Sequence, residues 1–201
     1  MAKQQRGVDT VERVLDAALA AFTASGIYDA TIEDLARRAR VSVGSLYHHF
    51  SSRDRIAFVL YCRWMESLMG AVADALTGRR TARAGVQALV RAYLTWVGEH
   101  PEAARFVFAA GATELADKWK DELGPFKQRL LAPIFAWFQP HIASGAVVAL
   151  PFALYEIVII GPAAEFSRRW LAGGAGLELD EGARVLPGTV WRSIAGAGTD
   201  G

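Results

Sequence analysis

The sequence predicts an all-α protein: an N-terminal three-helix domain followed by a larger helical domain. Three observations carry this. Apolar residues recur at i, i+3, i+4 and i+7 through most of the 201 residues. Ser, Thr or Asp stands at the start of many of these runs, and Gly or Pro marks their ends. Alternating β-branched stretches, the mark of strands, are scarce.

The elements follow in order. Val11, Val14, Leu15, Ala18 and Phe22 form one buried helical face. Asp9 with Glu12 reads as its capping box and Gly26 as its stop. Thr31 with Asp34 opens a second helix carrying Ile32, Leu35 and Ala36, and Ser42 caps a short third helix with Leu46 and Phe50 inward. Ser51 and Ser52 open a longer helix with Ile56, Leu60, Trp64, Leu68, Val72 and Ala75 in register, ending near Gly78. Further helices read at 82–100, 101–110, 113–123, 125–143, 152–172 and 180–194. Pro101 and Pro125 suit first-turn positions, where a missing N–H costs nothing. Pro133 should kink its helix, and Pro187-Gly188 should kink the last one or break it. These elements imply domains at 1–55 and 56–195, with a disordered Gly-rich tail at 196–201.

Composition narrows the class. Hydrophobic residues make up 52% of the chain, enough for a large core plus an interface or a ligand cavity. The net charge of +1 means that any nucleic-acid surface must be local. A single cysteine, Cys62, allows no internal disulfide and fits a reducing cytoplasm as a small core residue. Residues 1–10 are polar, with no secretory leader. The longest apolar stretch, 143–164, is interrupted by Pro151, Glu156 and Pro162, so no uninterrupted run of about 20 apolar residues is available to span a membrane. A cytoplasmic protein with no membrane partner is the expectation.

Residues 31–50 read TIEDLARRARVSVGSLYHHF: two short amphipathic helices about four residues apart, the spacing of a helix-turn-helix. Val43, Ser45, Tyr47 and His48 would be exposed on the second helix, and Gly44 would let the backbone come close to DNA. Residues 37–55 hold Arg37, Arg38, Arg40, Arg53 and Arg55 against Asp54 alone, a local charge of 5 − 1 = +4. Lys3 and Arg6 add a basic arm, and the N–H groups opening the second and fourth helices offer further phosphate sites. His48 and His49 are adjacent, so they point to different faces of a helix and make a poor metal pair. No nucleophile elbow, phosphate loop, metal-ligand cluster or helically spaced acid pair points to an enzyme, a metal or a cofactor.

The run VLDAALAAFTASGIYDATIEDLARRARVSVGSLYHHFSSRDRIAF, above all VSVGSLYHHF followed by S-x-R-D, resembles the DNA-binding domain of the TetR family over residues 9–60. The resemblance implies a homodimer on palindromic operator DNA. It implies phosphate contacts from Thr31, Ser42, Tyr47, His49 and Arg53, and base-facing positions at Val43, Ser45 and His48. Two departures stand out. Arg40 occupies the place of a common turn glycine, at roughly 1 kcal/mol if left-handed. Val43 replaces a common lysine, which favours apolar readout such as a thymine methyl.

Aromatic residues crowd the later part of the chain. Trp64, Tyr93, Trp96, Phe106, Trp119, Phe126, Trp137 and Tyr155 are the candidates for lining a pocket for a small apolar or aromatic ligand, with Arg105 and Glu114 as polar orienters. The segment 151–173 is apolar on more than one face and needs two partners. Ile159, Gly161, Phe166 and Trp170, with Trp191 from the last helix, are the candidate dimer interface. The reading is a DNA-binding transcriptional regulator, a repressor released from its operator by a small ligand. The alternative is an activator, or a regulator answering to a protein partner.

Overall fold

A computed structural model describes the chain over residues 2–111 and 117–198, with side chains from residue 7 onward. Helices account for most of it. They are α1 (Ala2–Ser25), α2 (Ile32–Ala39), α3 (Val43–Phe50), α4 (Arg53–Leu76), α5 (Ala82–Glu99), α6 (Pro101–Gly111) and α7 (Lys120–Ala143). Then come α8 (Phe152–Tyr155), a π-helical turn (Glu156–Ile160), α9 (Gly161–Leu171) and α10 (Leu179–Ile194). Among the described residues the only extended pairing is an isolated bridge between Val147 and Ala195.

The chain forms two compact units. Met1–Met65 and Glu102–Leu123 make the first; Glu66–Pro101 and Gly124–Gly201 make the second. The expected boundary at 55 falls in the first turn of α4, whose residues 53–65 belong to the first unit and 66–76 to the second. That residues 102–123 group with the N-terminal helices was not anticipated.

In the first unit the amphipathic pattern places most of the core where it is expected, although Val11 and Ile32 are only half-buried. Val14, Leu15, Ala18 and Phe22 of α1, Leu35 and Ala36 of α2, and Leu46 and Phe50 of α3 are all buried. In the second unit α10 packs on α5, α9 and the π turn. Two close approaches there depend on glycine: the Trp137 ring lies over Gly85 and the Phe166 ring over Gly182, where a Cβ would sit within 2.0 Å and 2.5 Å of ring carbons. Among the described helices α4 alone has the length and apolar composition of a membrane span, and 44% of that stretch is buried in the protein.

Several elements differ from expectation. α1 starts at Ala2, so Asp9 and Glu12 lie inside it rather than capping it, and the basic Lys3 and Arg6 belong to its first turns. Their side chains lie outside the described residues, as do residues 112–116, including Glu114 and the start of the helix expected at 113–123. α7 begins at Lys120, which puts Pro125 inside the helix with Pro133 and Pro140. α10 carries Pro187 inside a continuous helix and is not broken there. The expected single helix 152–172 is instead interrupted by the π turn. Pro162 has no N–H to offer the Val158 carbonyl, and the Gly161 N–H reaches back five residues to Glu156. The Gly-rich end is pinned, not disordered, over its described residues. The Gly196 and Gly198 N–H groups donate to the carbonyls of Ala146 and Gly145, both at 2.9 Å. Only glycine permits this, because a Cβ on Gly196 would lie 2.0 Å from the Gly145 oxygen. Residues 199–201 lie outside the described residues.

Candidate nucleic-acid interface

The helix-turn-helix is built from local caps. The Thr31 hydroxyl oxygen accepts from the Asp34 N–H at 3.1 Å and starts α2. The Ser42 oxygen accepts from the Ser45 N–H at 3.0 Å and starts α3. Between them Arg40 adopts the left-handed conformation, φ 55° and ψ 47°. Its N–H bonds back to α2, and the Val41 N–H donates to the Ala36 carbonyl at 3.0 Å, which closes a Schellman motif. The chain thus reverses within three residues and aims α3 outward. The outcome at Arg40 is the turn conformation that the sequence required of it.

The outer face of α3 carries the expected side chains. Tyr47 is half exposed and Val43, Gly44, His48 and His49 are exposed, while Ser45 is partly covered by its role in the cap. The exposed Tyr47 is not a core aromatic. The His48 and His49 rings meet edge to face at 5.2 Å, and no cluster of three metal-ligating side chains exists among the described residues. Ser51, between α3 and α4, is a second residue at positive φ (57°), and sequence reading gave no sign of it. Its N–H bonds to the Tyr47 carbonyl, and Ser52 caps α4 by accepting from the Arg55 N–H. Thr31, Tyr47, Ser51, Ser52 and Arg53 line one open depression at the adjoining starts of α2 and α4.

The charge there is smaller than the sequence count. Arg37 pairs with Asp34 and Arg55 with Glu122. Arg53 donates to the Tyr28 carbonyl at 2.6 Å, reaches Asp54 at 3.4 Å and lies over the Tyr28 ring. Among the described residues only Arg38 and Arg40 of the five arginines have no acidic partner. Lys118 also grips Asp54, and its hydrogen bond is the main cause that holds the Asp54 carboxyl below the usual carboxylate range.

Residues 14–59, which contain this whole arrangement, match the family model described as bacterial regulatory proteins, tetR family. Over these residues the chain is similar to the TetR family. It is 46% identical over 57 residues to the A-factor receptor protein of Streptomyces griseus, which covers 28% of this chain and 21% of that protein. The chain spans from about a fifth to under half the length of the curated relatives it matches. Two solved structures share the fold over nearly the full length. A TetR family transcription regulator from Marinobacter aquaeolei VT8 superposes with a TM-score of 0.83 at 18% identity, covering 96% of this chain and 99% of that one. FadR of Bacillus subtilis, solved in complex with stearoyl-CoA, gives 0.75 at 16% identity, covering 91% and 98%. The matched model is one of regulatory proteins.

The aromatic residues are distributed differently from a single pocket. An apolar cavity of about 40 Å³ lies among Met69 and Val72 of α4, Leu89 of α5, Leu131, Ile134, Phe135 and Phe138 of α7, and Tyr155, Glu156, Ile159 and Ile160. Of the eight expected lining residues, Tyr155 alone reaches it. Tyr93, Trp96 and Phe126 are core residues, Trp96 donating to the Ser67 hydroxyl at 3.0 Å. Burial raises the Tyr93 hydroxyl well above its ordinary pKa. Trp137 donates to the Arg79 carbonyl. In the first unit Trp64 is half-buried beneath Arg63, Trp119 stacks on Phe58, and Phe106 stacks on Phe22 beside an open groove that Arg105 also lines. A signal for the missed lining existed: Leu131, Ile134, Phe135 and Phe138 follow the i, i+3, i+4, i+7 stripe. Of the five interface candidates, Ile159 is buried within its own chain and Gly161, Phe166, Trp170 and Trp191 are half-buried. Ile157, 63% exposed, faces out, and Ile159 does not.

Arg40 gives a test that separates conformation from charge. Replacing Arg40 by glycine removes a left-handed penalty of about 1–2 kcal/mol and adds unfolded-chain entropy of about 0.4–1 kcal/mol. Arg40→Gly should therefore melt within about 1 kcal/mol of the parent in urea titrations. The slope of log affinity for DNA against log salt should fall by about one per protomer.

Proposed function

We propose that the protein is a sequence-specific DNA-binding regulator, a dimeric repressor whose hold on a palindromic operator is released by a small apolar ligand. The observation that carries the reading is the exposed outer face of α3, set by the Arg40 turn next to the open depression at the starts of α2 and α4. Thr31, Ser42, Tyr47, His49 and Arg53 serve the backbone of the DNA, and Val43, Ser45 and His48 read its bases across the close approach allowed by Gly44. A two-fold dimer would set two such helices about 34 Å, or a multiple of one DNA turn, apart.

For the dimer, Phe152, Leu154 and Ile157 around the π turn and Val185 of α10 are large apolar side chains left exposed. Gly161 has open space beyond its Cα, which favours a close helix crossing. For the ligand, the apolar cavity of the second unit is the candidate. At about 40 Å³ it is far below the usual size of a drug-sized site, so a ligand would have to part the side chains of α4, α7 and the π turn. The solved fold relative that holds stearoyl-CoA supports an elongated apolar ligand in this fold. The rival reading keeps the DNA contact and replaces repression by activation, or the ligand by a protein partner; a reporter assay with and without the gene separates them.

Five outcomes test this reading. In random-sequence selection the chain should enrich a palindrome. With Arg38 and Arg40 uncompensated in each protomer, 2 × 2 = 4 charges give a loss of affinity on the order of 10²-fold between 50 and 200 mM salt. Tyr47→Ala should weaken all duplexes alike, whereas Ser45 and His48 changes should alter which one is chosen; recovery of unenriched sequence would sink the DNA reading. In sedimentation the parent should be a dimer at micromolar concentration and Ile157→Glu a monomer. Titration of a fluorescent fatty acyl probe should show affinity lowered about 5- to 150-fold by saturating operator, since coupling is reciprocal; equal affinities would mean that the cavity is only core.

A further inference from the structure

The start of α4 is held by a segment more than sixty residues downstream. Lys118 forms an ion pair with Asp54, and Glu122 accepts from Arg55 at 2.8 Å. Trp119 stacks on Phe58 with ring centroids 4.9 Å apart, and the Arg55 guanidinium lies 4.8 Å from the Phe58 ring and 4.9 Å from the Trp119 ring. The Trp119 carbonyl accepts from the N–H groups of Glu122 and Leu123, so the three side chains are presented from one tight turn. All of these residues belong to the first unit.

The pairing bears on Arg53. Asp54 offers two oxygens in the first turn of α4, beside the depression where a DNA phosphate would sit. Lys118 occupies Oδ2. Oδ1 makes only a long 3.4 Å contact with Arg53, whose firmer bond is to the Tyr28 carbonyl. Without Lys118 the full charge of Asp54 would fall on Arg53 and on the incoming phosphate, drawing the first inward and repelling the second.

We propose that Lys118 is a positioning residue for the DNA contact, acting through Asp54 on Arg53, with Trp119 and Glu122 mooring it to α4. The proposal rests on the DNA-binding reading above and extends it to a segment outside the helix-turn-helix. The pair is partly exposed, so its removal should cost little stability.

The test uses the full chain and a labelled duplex obtained by selection with the unmodified protein, with affinity measured by anisotropy from 50 to 200 mM salt. Lys118→Ala should bind about tenfold more weakly with an unchanged melting curve, and Lys118→Arg should bind as the parent does. Asp54→Asn in the Lys118→Ala background should bring affinity back to within about threefold of the parent, which a merely structural role for the pair would not do. Parental affinity in Lys118→Ala, or no recovery in the double variant, overturns the proposal while leaving the DNA-binding reading intact. An unmodified chain that retains no duplex overturns both.

Discussion

The turn at Arg40 is the constraint on which the N-terminal unit depends. Two helices of eight residues each are too short to hold themselves. They persist because Leu35, Ala36, Leu46 and Phe50 share one core with α1, and they can share it only if the chain reverses within three residues. That reversal needs a left-handed residue, and the sequence supplies an arginine. Arginine adds a charge at the edge of the proposed DNA face where a glycine would add none. The conformational cost and the electrostatic gain therefore sit on the same residue.

The charges around this turn show why a count along the chain misleads. Acidic partners arrive from the same helix, as Asp34 does for Arg37, and from far along the sequence, as Glu122 does for Arg55. Of the five arginines at residues 37–55, only Arg38 and Arg40 are left without an acidic partner among the described residues. Affinity for DNA would then rest less on bulk attraction than on fitted contacts from Thr31, Ser42, Tyr47 and the helix N-termini, which are neutral and release no counterions.

How far the sequence could be read depended on whether the information was local. Caps such as Thr31–Asp34 and Ser42–Ser45 are local, and so is the apolar stripe of α1; both were legible. The family motif likewise lies in one continuous run. The cavity was not legible, because its wall draws aliphatic residues from four helices and the more conspicuous tryptophans serve as core pieces and helix braces. Helix ends beside prolines were misread for a related reason. Pro125 and Pro187 are tolerated inside α7 and α10, whose places in the fold outweigh the loss of a hydrogen bond.

The π turn at Glu156–Ile160 amounts to one residue more than an α-helix would use over the same rise. Each helical residue turns the chain by about 100°, so that surplus sets the azimuth of everything after it. α9 presents Phe166 to Gly182 on that account. A chain shortened by one residue between 156 and 160 could revert to plain α-helix and would swing Phe166 off Gly182 by about a quarter turn. Length in this stretch is thus under tighter geometric control than residue identity, and homologues differing here by a single insertion or deletion would carry a differently facing outer surface on an otherwise unchanged fold.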